Sequence, residues 1–258
     1  MISWAAKRQL AYATLVLVVL LIVIGLPVYF IYIQKQPTCF DKIKNQNEQG
    51  VDCGGVCQRA CMEQVIPLPI TMWSRAFKVS GGTYNLAAYV QNANVDYTSE
   101  PTRYLFRVYD SENVLIGIRE GITSVPPTKS FPIFEQAFNT GERVPAKVFF
   151  EFTRGMVWKK YAGVKPEIEV IDERFVGTTT ASSSMPRLEA ALSNKTVNTY
   201  RNIEVVTIVY DIDGNAMAAS RTYVDILPGK QQVPILFTWP EPFKSEVSKV
   251  EVIPKLVF

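Results

Sequence analysis

The sequence predicts an all-β protein carried on one N-terminal membrane helix, with a disulfide-stapled neck and two tandem β-sandwiches. Three observations lead there. Residues 10–33 run 24 positions without a charge, all four cysteines fall within residues 39–61, and the remainder holds an internal repeat of alternating apolar and polar residues.

The uncharged run reads LAYATLVLVVLLIVIGLPVYFIYI. A bilayer core needs about 20 apolar residues, so the run is long enough to cross. A buried core helix is seldom uncharged for so long. A cleaved signal peptide has a shorter apolar region, about 7–15 residues, ending at small residues. This run ends in YFIYIQKQ, and QPT before Cys39 is no lipoprotein box. The reading is an uncleaved signal anchor over residues 10–33, partnered by the lipid bilayer. Lys7 and Arg8 precede it and place residues 1–9 in the cytoplasm by the positive-inside rule, although Lys35 beyond the span opposes them. Tyr29, Phe30 and Tyr32 suit an interfacial aromatic belt, and Pro27 falls near the helix end, where proline is tolerated. The bulk of the chain is then expected outside the cytoplasm, on the cell membrane.

Composition excludes several functions. Net charge is +3 with Lys and Arg scattered, so no basic stripe invites nucleic acid. The chain has no histidine, which removes Ser-His-Asp and Cys-His catalysis and every His-ligated metal site. Neither a phosphate-cradling G-x-x-x-x-G-K-[ST], nor G-x-G-x-x-G, nor a G-x-S-x-G elbow occurs. No cofactor and no catalytic residue is expected.

Cys39, Cys53, Cys57 and Cys61 are spaced C-x13-C-x3-C-x3-C. In an oxidising compartment an even number of cysteines in a short polar segment reads as disulfides. A structural zinc site wants two tight pairs, and a thioredoxin-like centre wants C-x-x-C beside a βαβ unit. Four cysteines allow three pairings, and all three stay open. A neck over residues 34–66 is too short to bury a core and needs such a staple. Asp41, Asn45, Asn47, Glu48 and Asp52 supply oxygens of the kind calcium takes. Their competing role is to cap turns. The segment resembles a short DCGG-type cysteine-rich motif of bacterial surface proteins, matching at Cys39, Asp41, Asn45, Glu48, Gly50, Asp52, Cys53, Gly54, Gly55, Cys57 and Cys61.

The repeat sets YNLAAYVQN against PRLEAALSN, and TRYLFRVYDSENVLIGIREGITSVPP against RNIEVVTIVYDIDGNAMAASRTYVDILPG. It further sets VPAKVFFEF against VPILFTW and PEIEVIDERFV against SKVEVIPKLVF. Asn92 answers Asn194, Tyr109-Asp110 answers Tyr210-Asp211, and Arg119 answers Arg221. Period-2 alternation in RYLFRVYD and AKVFFEF argues strands with one buried face. DSEN and DIDGN read as hairpin turns. Short strands at regular spacing, in copies of immunoglobulin-like size, predict sandwiches at residues 67–176 and 187–258. The small polar stretch 177–186 between them reads as a linker that lets the two hinge.

FRVYD (Phe106 to Asp110) and TIVYD (Thr207 to Asp211) resemble the motif of the FxLYD-type bacterial extracytoplasmic domains. That resemblance implies an immunoglobulin-like fold outside the membrane and no catalytic residue. The carboxylate pairs Asp110/Glu112 and Asp211/Asp213 could serve acid–base or metal chemistry, but they sit at turns, where Asp caps backbone N–H groups. DIDG resembles a calcium loop without its downstream Glu. NKT at Asn194 fits a glycosylation acceptor, against a turn role given by the repeat. Trp158, Lys159, Lys160 and Tyr161 form a basic-aromatic cluster that could bind a glycan or lipid surface, against the reading of a solvated strand end. The expected function is a non-catalytic scaffold, adhesion or envelope-assembly protein with a protein partner. The alternative is a glycan or small-ligand module, followed by an envelope enzyme using carboxylates.

Overall fold

The computed structural model describes residues 4–29, 38–59, 61, 66–153, 155–163, 166–177 and 185–256. They form two units, Met1–Cys57 and Gln58–Phe258.

In the first unit, helix α1 spans Trp4–Val28 and contains Pro27. Its stretch Ala6–Val28 is long and apolar enough to cross a membrane, and none of its most apolar window is buried. The helix starts before the apolar run: Lys7 and Arg8 lie on it rather than in a preceding tail. Both are good helix formers, and backbone hydrogen bonding does not stop where apolarity does. Tyr29 is half-exposed, while Phe30, Tyr32 and Lys35 lie outside the described residues. The neck beyond is made of turns closed by the disulfide Cys39–Cys57. Cys53 and Cys61 are disulfide-bonded as well, and no cysteine is free.

The second unit is all β. Its strands are β1 (Ile70–Ser80), β2 (Thr83–Gln91), β3 (Tyr97–Ser99), β4 (Thr102–Tyr109), β5 (Leu115–Thr123), β6 (Ser130–Asn139) and β7 (Lys147–Phe152). They continue with β8 (Trp158–Lys160), β9 (Ile168–Val176), β10 (Arg187–Asn194), β11 (Tyr200–Tyr210), β12 (Ala216–Leu227), β13 (Gln232–Thr238) and β14 (Lys249–Leu256). Sheets β1-β2-β6 and β5-β4-β7 make the first sandwich, with β3-β8 a short accessory pair. Sheets β9-β10-β13 and β12-β11-β14 make the second. Each pairs strands as an immunoglobulin sandwich pairs A-B-E and C′-C-F. Every pairing is antiparallel.

The pairing corrects the repeat. β9 joins β10, with Ile171 opposite Ala191, so residues 168–176 open the second sandwich instead of closing the first. VPILFTW is therefore the counterpart of β6, and AKVFFEF is the counterpart of β14. Short alternating strands look alike locally, and partner strands decide between them. Val108 faces Gly117 and Val209 faces Ala218, each followed by a bulge. In that register Arg119 corresponds to Ser220, and Arg221 to Glu120. A one-residue slip on a strand moves a side chain to the opposite face.

Two parts of the repeat hold in detail. Asp110 Oδ1 accepts the N–H groups of Glu112 and Val114 at 3.0 and 2.8 Å, and Asp211 Oδ1 accepts those of Asp213 and Asn215 at the same distances. Asn113 (φ 62°) and Gly214 (φ 78°) occupy the left-handed position of their turns, which Asn and Gly tolerate. Asn92 and Asn194 are buried. Asn92 Nδ2 donates to the Pro126 carbonyl (2.9 Å), and Asn194 Nδ2 to those of Leu227 and Pro228 (3.3 and 3.1 Å). Each Oδ1 accepts the N–H two residues on. Asn194 is thus a buried staple, not an accessible glycan acceptor.

Three cores result. One fills the first sandwich around Leu86, Phe106, Val108, Phe131 and Ile133. One fills the second around Leu188, Leu192, Ile203, Val205 and Phe237. The third lies between them: Phe77, Ala87 and Phe134 pack on Val206, Ile208, Ala216 and Ala219, flanked by Trp73, Tyr89, Tyr210 and Ile253. The outer face of β1-β2-β6 is therefore pressed on the outer face of β12-β11-β14, giving four sheet layers. The expected hinge gives way to a seam, because each fully buried large apolar side chain contributes about 1.5–3 kcal/mol. Residues 178–184 of the expected linker lie outside the described residues.

Candidate functional site: a charged cleft in the seam

Beside the apolar seam, the two sandwiches enclose a cleft of about 420 Å³. Tyr104, Ile122, Thr123 and Glu135 line it from the first sandwich, and Glu204, Arg221, Tyr223 and Lys255 from the second. The strand register brings the last group together. Glu204 on β11 pairs with Tyr223 on β12 and with Lys255 on β14, and Val206 pairs with Arg221.

Glu204 is the hub. One carboxylate oxygen meets Arg221 Nη1 at 3.1 Å and the other meets Lys255 Nζ at 3.4 Å, with all three side chains largely buried. Arg221 Nη1 also donates to the Phe134 carbonyl of the first sandwich (3.0 Å), and its guanidinium lies over the Phe134 and Tyr223 rings. Lys255 Nζ donates to Thr123 Oγ1 of the first sandwich at 2.7 Å. Burial holds the Lys255 ammonium below the ordinary lysine range, and Glu204 opposes that shift. Across the cleft, Tyr104 OH donates to Glu135 Oε1 at 2.7 Å, and Arg119 Nε lies 3.9 Å from the other oxygen. Burial, then Glu135, push the Tyr104 hydroxyl above its ordinary value. Elsewhere in the seam Glu251 accepts Tyr89 OH (3.1 Å) and Tyr210 OH (3.0 Å), while Arg75 donates to Asn215 Oδ1 and the Ala216 carbonyl. These charge-assisted bonds bolt the sandwiches together and aim two cations at one cavity.

Sequence reasoning missed this cleft. One signal was present: IEVVTIVY in β11 is almost continuously apolar, as a strand buried on both faces must be. Glu204 in such a run, and Arg and Lys on its two neighbours, is what a buried polar network looks like in sequence.

The sequence-predicted sites fare differently. Trp158 is buried in the first core, so its ring is not a surface for a glycan or lipid. Sheet pairing decides this, since β8 is held on β3 with Trp158 opposite Ser99. Lys159 and Lys160 are exposed, with Lys159 ion-paired to Glu100 at 3.0 Å. Phe106 is fully buried, and Tyr109 and Tyr210 are half-buried. In the neck, Asp41 accepts the N–H groups of Thr38 and Ile43 and the Asn45 amide, and Asp52 accepts the Lys42 N–H on both oxygens. Backbone N–H groups, first that of Thr38, hold Asp41 below the usual carboxylate range. Glu48 Oε2 accepts the Asn45 and Asp52 N–H groups, and Asn47 serves a turn with φ 63°. Glu48 Oε1 lies 3.0 Å from Cys57 Sγ, which has no proton to give and, bonded to Cys39, is no thiolate for a metal. The carboxylate oxygens of Asp41, Glu48 and Asp52 thus cap turns, while Asn45 Oδ1 is buried without a partner.

No protein-family profile matches this chain, and no curated protein matches it. Among solved structures, the chain is similar to a red sea bream transglutaminase at 10% identity and TM-score 0.24, over 70% of this chain and 29% of that one. It is also similar to the calcium-binding domain CBD12 of CALX1.1 at 14% identity and TM-score 0.18, over 67% and 74%. The chain thus spans less than a third of the transglutaminase.

Proposed function

We propose that this chain is a single-pass membrane protein with a cytoplasmic N-terminus, whose β-rich part stands outside the cytoplasm as a non-catalytic scaffold, adhesion or envelope-assembly subunit. One observation carries the reading: the outer face of β5-β4-β7. Ile118, Ile122 and Phe149 are 50, 60 and 57% exposed there. The register puts them on one face, since Arg107 pairs with both Ile118 and Phe149, and Arg103 with Ile122. Arg107 and Glu151 make an ion pair among them. The corresponding face of the second sandwich is the one buried in the seam, against a protein sheet. A protein partner presenting an apolar sheet face therefore fits this surface by the packing the chain already uses.

Further support comes from the apolar helix α1 with Lys7 and Arg8, the oxidised cysteines, and the resemblance to FxLYD-type and DCGG-type surface proteins. The non-catalytic part is supported by Asp110 and Asp211, both engaged in turns.

The test is photo-crosslinking in intact cells from a reactive residue at Phe149, with Glu169 on the opposite outer sheet as control. A single protein adduct from position 149, absent from 169, is expected. Equal labelling from both positions, or protease resistance of the β-rich part in intact cells, sinks the reading. A second reading, recognition of a small ligand, is favoured by the charged cleft.

A further inference from the structure

We infer that the seam cleft is a binding site for a small oxyanion, a carboxylate or a phosphate group. Charge and unused donors point there, independently of the scaffold reading. Two cations, Arg221 and Lys255, line the cleft beside Glu204, while Arg119, outside the lining, lies 3.9 Å from the second lining carboxylate, Glu135. Each carboxylate is already engaged: Glu204 by Arg221 and Lys255, Glu135 by Tyr104 OH and Arg119. With Glu135 facing Tyr104 and Arg119, the buried cations Arg221 and Lys255 share the one negative charge of Glu204 between two protein layers, where an uncompensated charge is costly.

Donor capacity is left over as well. An ammonium has three N–H bonds and a guanidinium five. Lys255, only 7% exposed, spends two, on Thr123 Oγ1 and Glu204. Arg221 spends Nη1 on Glu204 and Phe134, while its buried Nε finds no partner. Both residues line a cavity of about 420 Å³, large enough for a small molecule bearing the oxyanion. Tyr223, 55% exposed with its ring against the Arg221 guanidinium, stands at the mouth. An anion at this place accepts a hydrogen bond from the spare Lys255 N–H and another from Arg221, and stabilises the ammonium that burial disfavours. It also bridges the sandwiches, because Lys255 is anchored on Thr123 and Arg221 on Phe134.

The experiment uses the full chain in detergent, titrated with inorganic phosphate or with acetate while chloride holds ionic strength constant. The readouts are the thermal midpoint and the phosphorus NMR line width of phosphate. A saturable rise in midpoint is expected in at least one arm. A phosphate response alone assigns phosphate, an acetate response alone assigns carboxylate, and both assign the oxyanion in general. Lys255→Met is expected to weaken the response at least about tenfold, as is lost with one charged hydrogen bond. Should that variant not fold, Arg221→Lys keeps the charge but loses the fork of donors, and the same loss is expected. Wild-type protein that responds no more than to chloride overturns the inference. So does an undiminished response in a folded variant, which would place the anion elsewhere.

Discussion

The two sandwiches share a strand order and use it differently. In the first, the central strand β4 sends Tyr104, Phe106 and Val108 into the core, and on its other face Leu105 is buried while Arg107 is ion-paired at the surface. In the second, β11 buries both faces, with Val205 and Val209 in the core and Val206 and Ile208 in the seam. Phe106 is matched by Thr207, also fully buried, whose hydroxyl finds no hydrogen-bond partner. The second core takes its aromatic bulk elsewhere, from Phe175 stacked on Phe243 and Trp239 set tilted and edge-on against them. The same sheet design thus serves as an outer layer with an open face in the first sandwich (β5-β4-β7) and as an inner layer of the stack in the second (β12-β11-β14), and outer-face residues decide which.

The sharpest way to break this comparison is at the equivalent positions 107 and 208. Ile208→Gln puts an amide into the seam and is expected to cost about 4 kcal/mol or more, from lost burial plus an unpaired polar group. Arg107→Gln, at the surface, is expected to change stability by less than about 0.5–1 kcal/mol. Denaturant unfolding of both variants reads the difference, and similar losses would show that the seam is not a core. Next in size is the pair within the cores. Phe106→Ala is expected to cost about 3–4 kcal/mol through transfer and cavity terms. Thr207→Val, which removes an orphaned hydroxyl at constant shape, is expected to gain about 1 kcal/mol. A loss at Thr207→Val would mean that the hydroxyl has a partner in solution.

The smallest effects are in pH. The Val114 N–H and then Arg143 hold Asp110 below its ordinary value of 3.8. A lowered carboxylate stabilises above its unfolded value, and that contribution is lost as pH falls through the folded one. Asp110→Asn should therefore flatten the acid limb of stability below that ordinary value. In the seam the sign reverses. Burial raises the hydroxyls of Tyr210 and Tyr89 above 10.0, so their contribution is complete below 10.0 and lost as pH rises past it. Tyr210→Phe should flatten the alkaline limb, and an unchanged limb would show that the hydroxyl is not held in the seam.

Much of the fold was legible because it rests on local chemistry. Period-2 patterning marked the strands, Asp110 and Asp211 marked the turns, and Asn92 and Asn194 marked equivalent corners. The cleft was not legible. Its carboxylate hub and two cations come from three strands, with Lys255 51 residues from Glu204, and the arginine that matters, Arg221, corresponds to Glu120 rather than to Arg119. The Trp158 cluster failed for the converse reason: basic neighbours suggested a surface, while pairing of β8 with β3 turned the ring inward.

What the amino-acid sequence determined by itself is whatever depends on neighbours along the chain: an apolar helix, the grouping of cysteines in the neck, strands with their turns, and hence an all-β architecture. What only the tertiary structure decided is which strands pair, which outer faces meet and which charges converge. Hydrophobicity says that a face must be covered; it does not say by what. That choice is made by packing between segments 87 and 132 residues apart, as when Phe134 meets Arg221 and Thr123 meets Lys255.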